Sequence, residues 1–246
     1  MRHALGALRW KAISAIHRRE LRLPDAEPRV SFTFDDFPRS AYLAGGAILR
    51  SYDVFGTYYA AMGLMDKHND LGEQFCREDM ESLLRDGHEL GSHTFSHLSG
   101  RAVPVAEFQS DVAKGRRAVE NVTCSLAQHS FSYPYGHATL GAKKRVGACF
   151  SSCRGIVPGI NASPVDLNLL RANSLYNGSF DVGAIGRFFD ANEKCRGWLI
   201  FYTHDVSEKP SAFGCTPLQL DGVVKLAVKR RARVVSMGWN GGTTNQ

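Results

Sequence analysis

The chain has 246 residues, 43% hydrophobic and 22% charged, with 24 glycines and a formal net charge of +6. That balance fits one soluble globular domain whose core needs no disulfide staples, and it excludes a small cysteine-stapled scaffold. No apolar stretch approaches the length of a membrane span. In chain order, residues 3–20 come first. Leu5, Leu8, Ala12, Ile13 and Ile16 share one helical stripe, and Arg9, Lys11, Arg18 and Arg19 lie off it. Such a basic amphipathic helix can lie on a membrane surface as a peripheral contact through residues 1–20, or pack on the rest of the fold; packing is the expectation. Pro24 and Pro28 mark a linker. Val30-Ser31-Phe32-Thr33-Phe34 alternates β-branched and aromatic residues, which predicts a first strand over 29–34. Val54–Tyr59 reads as strand two. Phe75–Arg85 reads as a helix leading into strand three at 88–92, and Val105–Val122 as a long helix. Strand four is expected at His129–Tyr133, strand five at Ala148–Ser151 and strand six at Leu169-Leu170-Arg171. Strand seven is expected at Trp198–Thr203, and a closing strand at Arg233–Ser236. Strands alternating with helices predict a parallel sheet. The segment after Gly238 reads as a frayed tail.

Positive charge gathers at two places. Residues 1–29 hold seven Lys/Arg against three Asp/Glu, and Lys225, Lys229, Arg230, Arg231 and Arg233 form a second group. No nucleic-acid motif accompanies either, so no nucleic-acid partner is expected and solvated helix faces are the simplest reading. Arg9 and Lys11 interrupt the apolar stretch near the N-terminus, which argues against a secretory signal and for a cytoplasmic chain, unless a leader has been removed. The six cysteines, Cys76, Cys124, Cys149, Cys153, Cys195 and Cys215, contain no C-x-x-C pair and are expected to be mostly buried thiols.

The chemistry concentrates at strand ends. Asp35-Asp36 closes the first apolar run, and His93-Thr94-Phe95-Ser96-His97 follows strand three. One carboxylate and two imidazoles make a facial set for a divalent cation with open positions. The second carboxylate is then free to act as a base, which is the equipment of metal-assisted hydrolysis. In a β/α barrel, residues just past the C-terminal ends of strands are where reactive groups collect.

With these residues in view, the chain resembles the polysaccharide deacetylases, carbohydrate esterase family four, also called the NodB-homology family. Four motifs carry the resemblance in the family's order: Thr33-Phe34-Asp35-Asp36, His93-Thr94-Phe95-Ser96-His97, Pro134-Tyr135-Gly136, and His204 closing Trp198–Thr203. The resemblance implies a single-domain, distorted and incomplete β/α (TIM-like) barrel over 29–238, preceded by the basic helix and linker of 1–28 and followed by a tail at 239–246. It implies Asp36, His93 and His97 as metal ligands, Asp35 as general base and His204 as general acid. The backbone N–H of Tyr135 would hold the oxyanion, with Pro134 and Gly136 fixing the turn against substrate. Zinc suits the ligand set; cobalt, nickel or manganese could also bind. The implied activity is metal-dependent removal of acetyl groups from N-acetylglucosamine-type units of a glycan or glycolipid, a carbohydrate substrate. Cyclic-amide or O-acetyl ester hydrolysis on the same site, or a non-catalytic glycan-binding barrel, are the alternatives.

The chain departs from the family at Ser132. There the third motif normally begins with the arginine that holds the base. The family's D-x-x-W sequence is also not evident. Arg171, at the end of strand six, is the first candidate to replace that arginine, and Arg154 the second.

Overall fold

The computed structural model describes residues 12–24, 27–123, 130–239 and 241. Its elements in order are β1 (Glu20–Leu21), β2 (Arg29–Asp35), a π-helical turn (Ala41–Gly46) running into α1 (Ala47–Ser51), and β3 (Thr57–Ala60). A short hairpin, β4 (His68–Asn69) and β5 (Gly72–Glu73), precedes α2 (Arg77–Arg85) and β6 (Glu89–Ser92). Next come α3 (Val105–Thr123), β7 (Ser130–Ser132), a 3₁₀ turn (Pro134–Gly136), α4 (Leu140–Gly147) and β8 (Ser152–Arg154). The chain finishes with β9 (Val165–Asp166), β10 (Asn173–Ser174), α5 (Val182–Cys195), β11 (Trp198–Thr203), α6 (Pro217–Lys229) and β12 (Arg233–Val234).

Seven strands form one parallel sheet in the order β10-β11-β2-β3-β6-β7-β8, and β12 adds to β2. The segment between β9 and β10 bonds to the far edge: Leu170 N–H donates to the Cys153 carbonyl and Gly155 N–H to the Leu170 carbonyl. The same segment reaches β11 through β10, so the sheet curls into the incomplete β/α barrel expected from the motifs.

β2 shows why the sequence builds this shape. All seven of its residues are buried. Val30, Phe32 and Phe34 join the core between sheet and helices. Successive side chains of a strand point to opposite faces, so Arg29, Ser31, Thr33 and Asp35 enter the barrel interior. There Ser31 Oγ donates to the Val235 carbonyl and Thr33 Oγ1 to the Phe201 carbonyl. A polar interior row is tolerated because each hydroxyl has a partner.

The interior floor is filled from the C-terminal side. Ser152 Oγ donates to the Met237 carbonyl, Met237 N–H to Thr57 Oγ1 and Gly238 N–H to Glu89 Oε2. Trp239 is buried edge-on against Trp198, and the Arg29 guanidinium lies 4.8 Å from the Trp239 ring centroid. The expectation of a frayed tail from residue 239 is therefore corrected at Trp239, which packs in the floor.

Strands one, three and seven fall where expected within a residue or two; strand two begins only at Thr57. Strand five does not: Cys149 and Phe150 lie in the turn after α4, and the strand is Ser152–Arg154. Strand six is a single parallel bridge at Leu170 rather than a ladder. The closing strand stops at Val234. His129 of the expected strand four lies outside the described residues. So does most of the expected N-terminal helix, of which residues 12–15 are helical. Ile13 is buried with Phe108, Val112 and Phe150, and its carbonyl accepts from the buried Lys143 ammonium at 2.7 Å, so this end of the helix packs on the barrel. The cysteine expectation is also corrected. Cys153 and Cys215 are buried, Cys76 is half-buried, Cys149 and Cys195 are exposed, and Cys124 lies outside the described residues. None of the described residues forms a helix long and apolar enough to cross a membrane.

Candidate active site

β2, β6 and β11 each deliver part of the site at their C-terminal ends. β2 ends at Asp35, and the backbone turns into the left-handed region at Asp36 (φ 61°) and Phe37 (φ 61°). That reversal presents two consecutive carboxylates to the same space, where an extended strand would send them to opposite faces. Thr94 (φ 64°), His97 (φ 53°) and Tyr135 (φ 58°) share the unusual conformation. Non-glycine residues held there cost of order 1–3 kcal/mol each and persist only where the surroundings enforce them. Five of them surround one site.

The ligating atoms of Asp36, His93 and His97 all lie within 4.8 Å of one another. Asp36 Oδ1 is 3.2 Å from His97 Nε2 and 3.7 Å from His93 Nε2. His93 Nδ1 lies 2.7 Å from the Ser132 carbonyl, which can only accept, so Nδ1 carries the proton and Nε2 offers its lone pair to the cluster. Burial pushes the His93 imidazole down to about 3 and lowers His97, which favours the neutral form of both rings. Asp36 Oδ1 is buried and accepts no hydrogen bond. An unpaired buried acceptor costs about 1–3 kcal/mol. A divalent cation bound by Asp36 Oδ1 and the two Nε2 atoms would satisfy it, and the O,N,N donor set suits zinc or cobalt with positions left open. The residues fit the group.

The loop that carries the two histidines is pinned from α3. The Asp111 carboxylate accepts the backbone N–H groups of Phe95 and Ser96 and the Ser96 hydroxyl, at 2.9–3.1 Å. Gly115, one turn on, leaves room for the loop: a Cβ there would stand 2.8 Å from the Thr94 backbone. Both residues lie in what reads in sequence only as a long helix.

Asp35 sits beside the Asp36-His93-His97 group, 4% exposed. It is ion-paired to Arg154 Nη2 from β8. Burial alone would raise its carboxyl, but the Arg154 guanidinium, by charge and hydrogen bond, outweighs burial and holds it below the usual carboxylate range. Arg154 is itself fully buried between two rings, its guanidinium carbon 5.0 Å from the centroids of both Tyr59 and Tyr202. The expectation for Arg171 is thus corrected. Leu170 points into the interior core, so its neighbour Arg171 faces the other way, and its Nη1 donates to the Pro158 carbonyl at 2.9 Å. Arg154, the second candidate, takes the place. It is the register partner of Ser132 on the adjacent strand, so the cation enters at the same height from one strand further along.

His204 follows β11. Its Nδ1 lies 3.3 Å from the Phe213 carbonyl, which leaves Nε2 as the exchangeable nitrogen, and its ring packs against Tyr176 and Phe213. Pro134, Tyr135 and Gly136 form the 3₁₀ turn beyond β7, and Tyr135 is 56% exposed beside His97. Gly136 (φ 64°) is required twice over: its conformation is left-handed, and a Cβ would stand 2.3 Å from the Ile156 side chain.

A curled parallel sheet with Asp-Asp and His-x-x-x-His at its strand ends is a deacetylase-type arrangement, and the family comparison agrees. The polysaccharide deacetylase family model matches residues 22–148. The chain belongs to the polysaccharide deacetylase family. It is 26% identical over 99 residues to the peptidoglycan-N-acetylglucosamine deacetylase of Bacillus cereus, a stretch covering 40% of this chain and 43% of that protein. The chain therefore matches less than half the length of that relative. Among solved structures, its fold is similar to the chitin deacetylase of the fungal pathogen Colletotrichum lindemuthianum, with a TM-score of 0.60 and 18% identity over 91% of this chain and 92% of that one. It is also similar to a family 4 acetyl xylan esterase from Clostridium thermocellum in complex with a cobalt ion, with a TM-score of 0.58 and 17% identity over 85% and 88%.

Proposed function

We propose that this chain is a metal-dependent amide hydrolase that removes acetyl groups from N-acetylglucosamine-type units of a glycan or glycolipid. The observation that carries the reading is the second carboxylate. Asp35 is buried, ionised and held by Arg154 beside the Asp36-His93-His97 group, which could hold a metal ion. Binding a glycan needs no such base.

Zinc or cobalt held by Asp36, His93 and His97 would supply Lewis-acid polarisation of the acetamide carbonyl and acidify water. The remaining work falls to the chain. Asp35 accepts a proton from the attacking water, whose oxygen bonds to the acetyl carbon. The Tyr135 backbone N–H donates to the carbonyl oxygen as charge develops there. His204 Nε2 gives its proton to the sugar nitrogen as the carbon–nitrogen bond breaks, so acetate and a free amine leave. Arg154 keeps the Asp35 carboxylate oriented throughout.

The test is acetate release by zinc- and cobalt-loaded protein from N-acetylated and O-acetylated oligosaccharides. Release with an equal yield of free amine supports the reading. Asp35→Asn should retain metal and lose on the order of 10²-fold or more in turnover. Wild-type turnover by metal-replete Asp35→Asn refutes the base assignment, and release from O-acetyl substrates alone refutes the amide specificity.

A further inference from the structure

The two imidazoles of the ligand set are oriented by different means. His93 Nδ1 is fixed by the buried Ser132 carbonyl inside the sheet. His97 Nδ1 instead meets a side chain, the Tyr135 hydroxyl, at 3.1 Å. The rings of His97 and Tyr135 lie 4.5 Å apart between centroids, and His137 flanks Tyr135 on the other side at 5.6 Å. His137 in turn bonds Ser99 Oγ at 2.8 Å, two residues beyond His97. The loop after β6 and the turn after β7 are therefore joined twice, through His97–Tyr135 and through Ser99–His137.

We propose that the Tyr135 side chain is a positioning residue for the metal centre: its hydroxyl accepts the His97 Nδ1 proton, fixes the tautomer with Nε2 toward the cation, and so couples metal binding to the turn that offers the Tyr135 backbone N–H. This rests on reading Asp36, His93 and His97 as the ligand set. A ligating histidine needs an acceptor for its second nitrogen, and losing such a partner usually weakens metal binding by 10–100-fold. His97 is the less buried of the two histidines, and its Nδ1 meets the Tyr135 hydroxyl where His93 Nδ1 meets the Ser132 carbonyl. Tyr135 holds a left-handed φ of 58° in the turn after β7, and from there its side chain meets His97.

The experiment is a zinc titration against a chromophoric chelator for wild type, Tyr135→Phe and Tyr135→Leu, with the visible spectrum of each cobalt-loaded protein. Hydrogen exchange of residues 133–137 is followed with and without zinc, and urea midpoints confirm folding. Tyr135 is half exposed, so both variants are expected to fold. The expected result is a 10–100-fold loss of zinc affinity in both variants, a shifted cobalt spectrum, and loss of the zinc-dependent protection of 133–137. Unchanged affinity and spectrum in Tyr135→Phe overturn the proposal. Weakening by Tyr135→Leu alone also overturns it, because the effect then belongs to the ring. If wild type binds no zinc or cobalt, the ligand set itself is wrong and the proposal falls with it. If wild type and variants differ as expected but no acetate is released from any substrate, the positioning role stands and the proposed function fails.

Discussion

Replacing Arg154 by Gln should be among the most damaging single changes in the barrel. The guanidinium is fully buried, ion-paired to a 4%-exposed Asp35 and packed between Tyr59 and Tyr202. Removing one partner of a buried pair leaves the other charge without compensation, a loss of about 3–5 kcal/mol. For a chain of this size 1 kcal/mol moves the thermal midpoint by about 2–4 °C, so a drop on the order of 10 °C is expected. The diagnostic is the double-mutant cycle with Asp35→Asn. Two neutral amides of similar size leave no buried charge, so the double variant should be more stable than Arg154→Gln alone, with a coupling of about 2–3 kcal/mol. Urea unfolding of the four proteins, each free of added metal, measures it. Additive losses, or a cost below about 1 kcal/mol for Arg154→Gln, would show that Asp35 is not held by Arg154.

Because Ser132 and Arg154 are register partners, moving the arginine back is a direct test. Arg154→Ser should abolish turnover, and Ser132→Arg in that background should recover at least about 10-fold, measured as acetate release; no recovery means the two positions cannot exchange the cation. A Cβ at Gly115 would press on the Thr94 backbone at 2.8 Å, so Gly115→Ala should displace the His93–His97 loop and weaken zinc binding in a chelator titration, with little change if α3 can move away. His88 is 3% exposed, its Nδ1 accepts the Gly56 N–H, and burial pushes it down to about 4 from its ordinary 6.5. Between those values the unfolded chain binds more protons, so stability rises with pH and its contribution, up to about 3 kcal/mol, is lost as pH falls from 6.5 to 4. His88→Asn keeps an acceptor for Gly56 without the ionisation, and should flatten that slope in urea midpoints taken across the range. An unchanged slope would place the dependence on other groups.

How far sequence alone reaches depends on whether a signal is local. Val30–Phe34 and Trp198–Thr203 are long runs of β-branched and aromatic residues, buried on both faces, and they predict their strands closely. That Asp36, His93 and His97 come together was legible because they sit within two short motifs at strand ends. β8 was displaced from its expected place because Ser152-Cys153-Arg154 has no apolar alternation, whereas Phe150 just before it is buried by the turn after α4. The cation beside Asp35 could not be chosen from sequence for a related reason. Arg171 ends the expected strand six and Arg154 lies just past the expected strand five, and only the observed strand register and side-chain parity separate them. Asp111 and Gly115 matter through contact with a loop from which they are 15 or more residues distant, and helical periodicity carries no trace of that.

The corked floor of the barrel has a consequence for how the chain reaches its native state. β12 lies against β2, and Val235, Met237 and Gly238 bond to Ser31, Ser152, Thr57 and Glu89, partners 85 to 204 residues earlier. A nascent chain that has emerged only to residue 230 holds the Asp-Asp and His-x-x-x-His motifs and β11 but leaves the polar interior row without those partners. Contacts of such separation form late and slowly. During synthesis the barrel can assemble in outline, with exposed strand edges, well before its floor closes, and in that interval it is open to association with other chains. Closure of the barrel floor is thereby tied to the emergence of residues 233–238, none of which is in the Asp36-His93-His97 group.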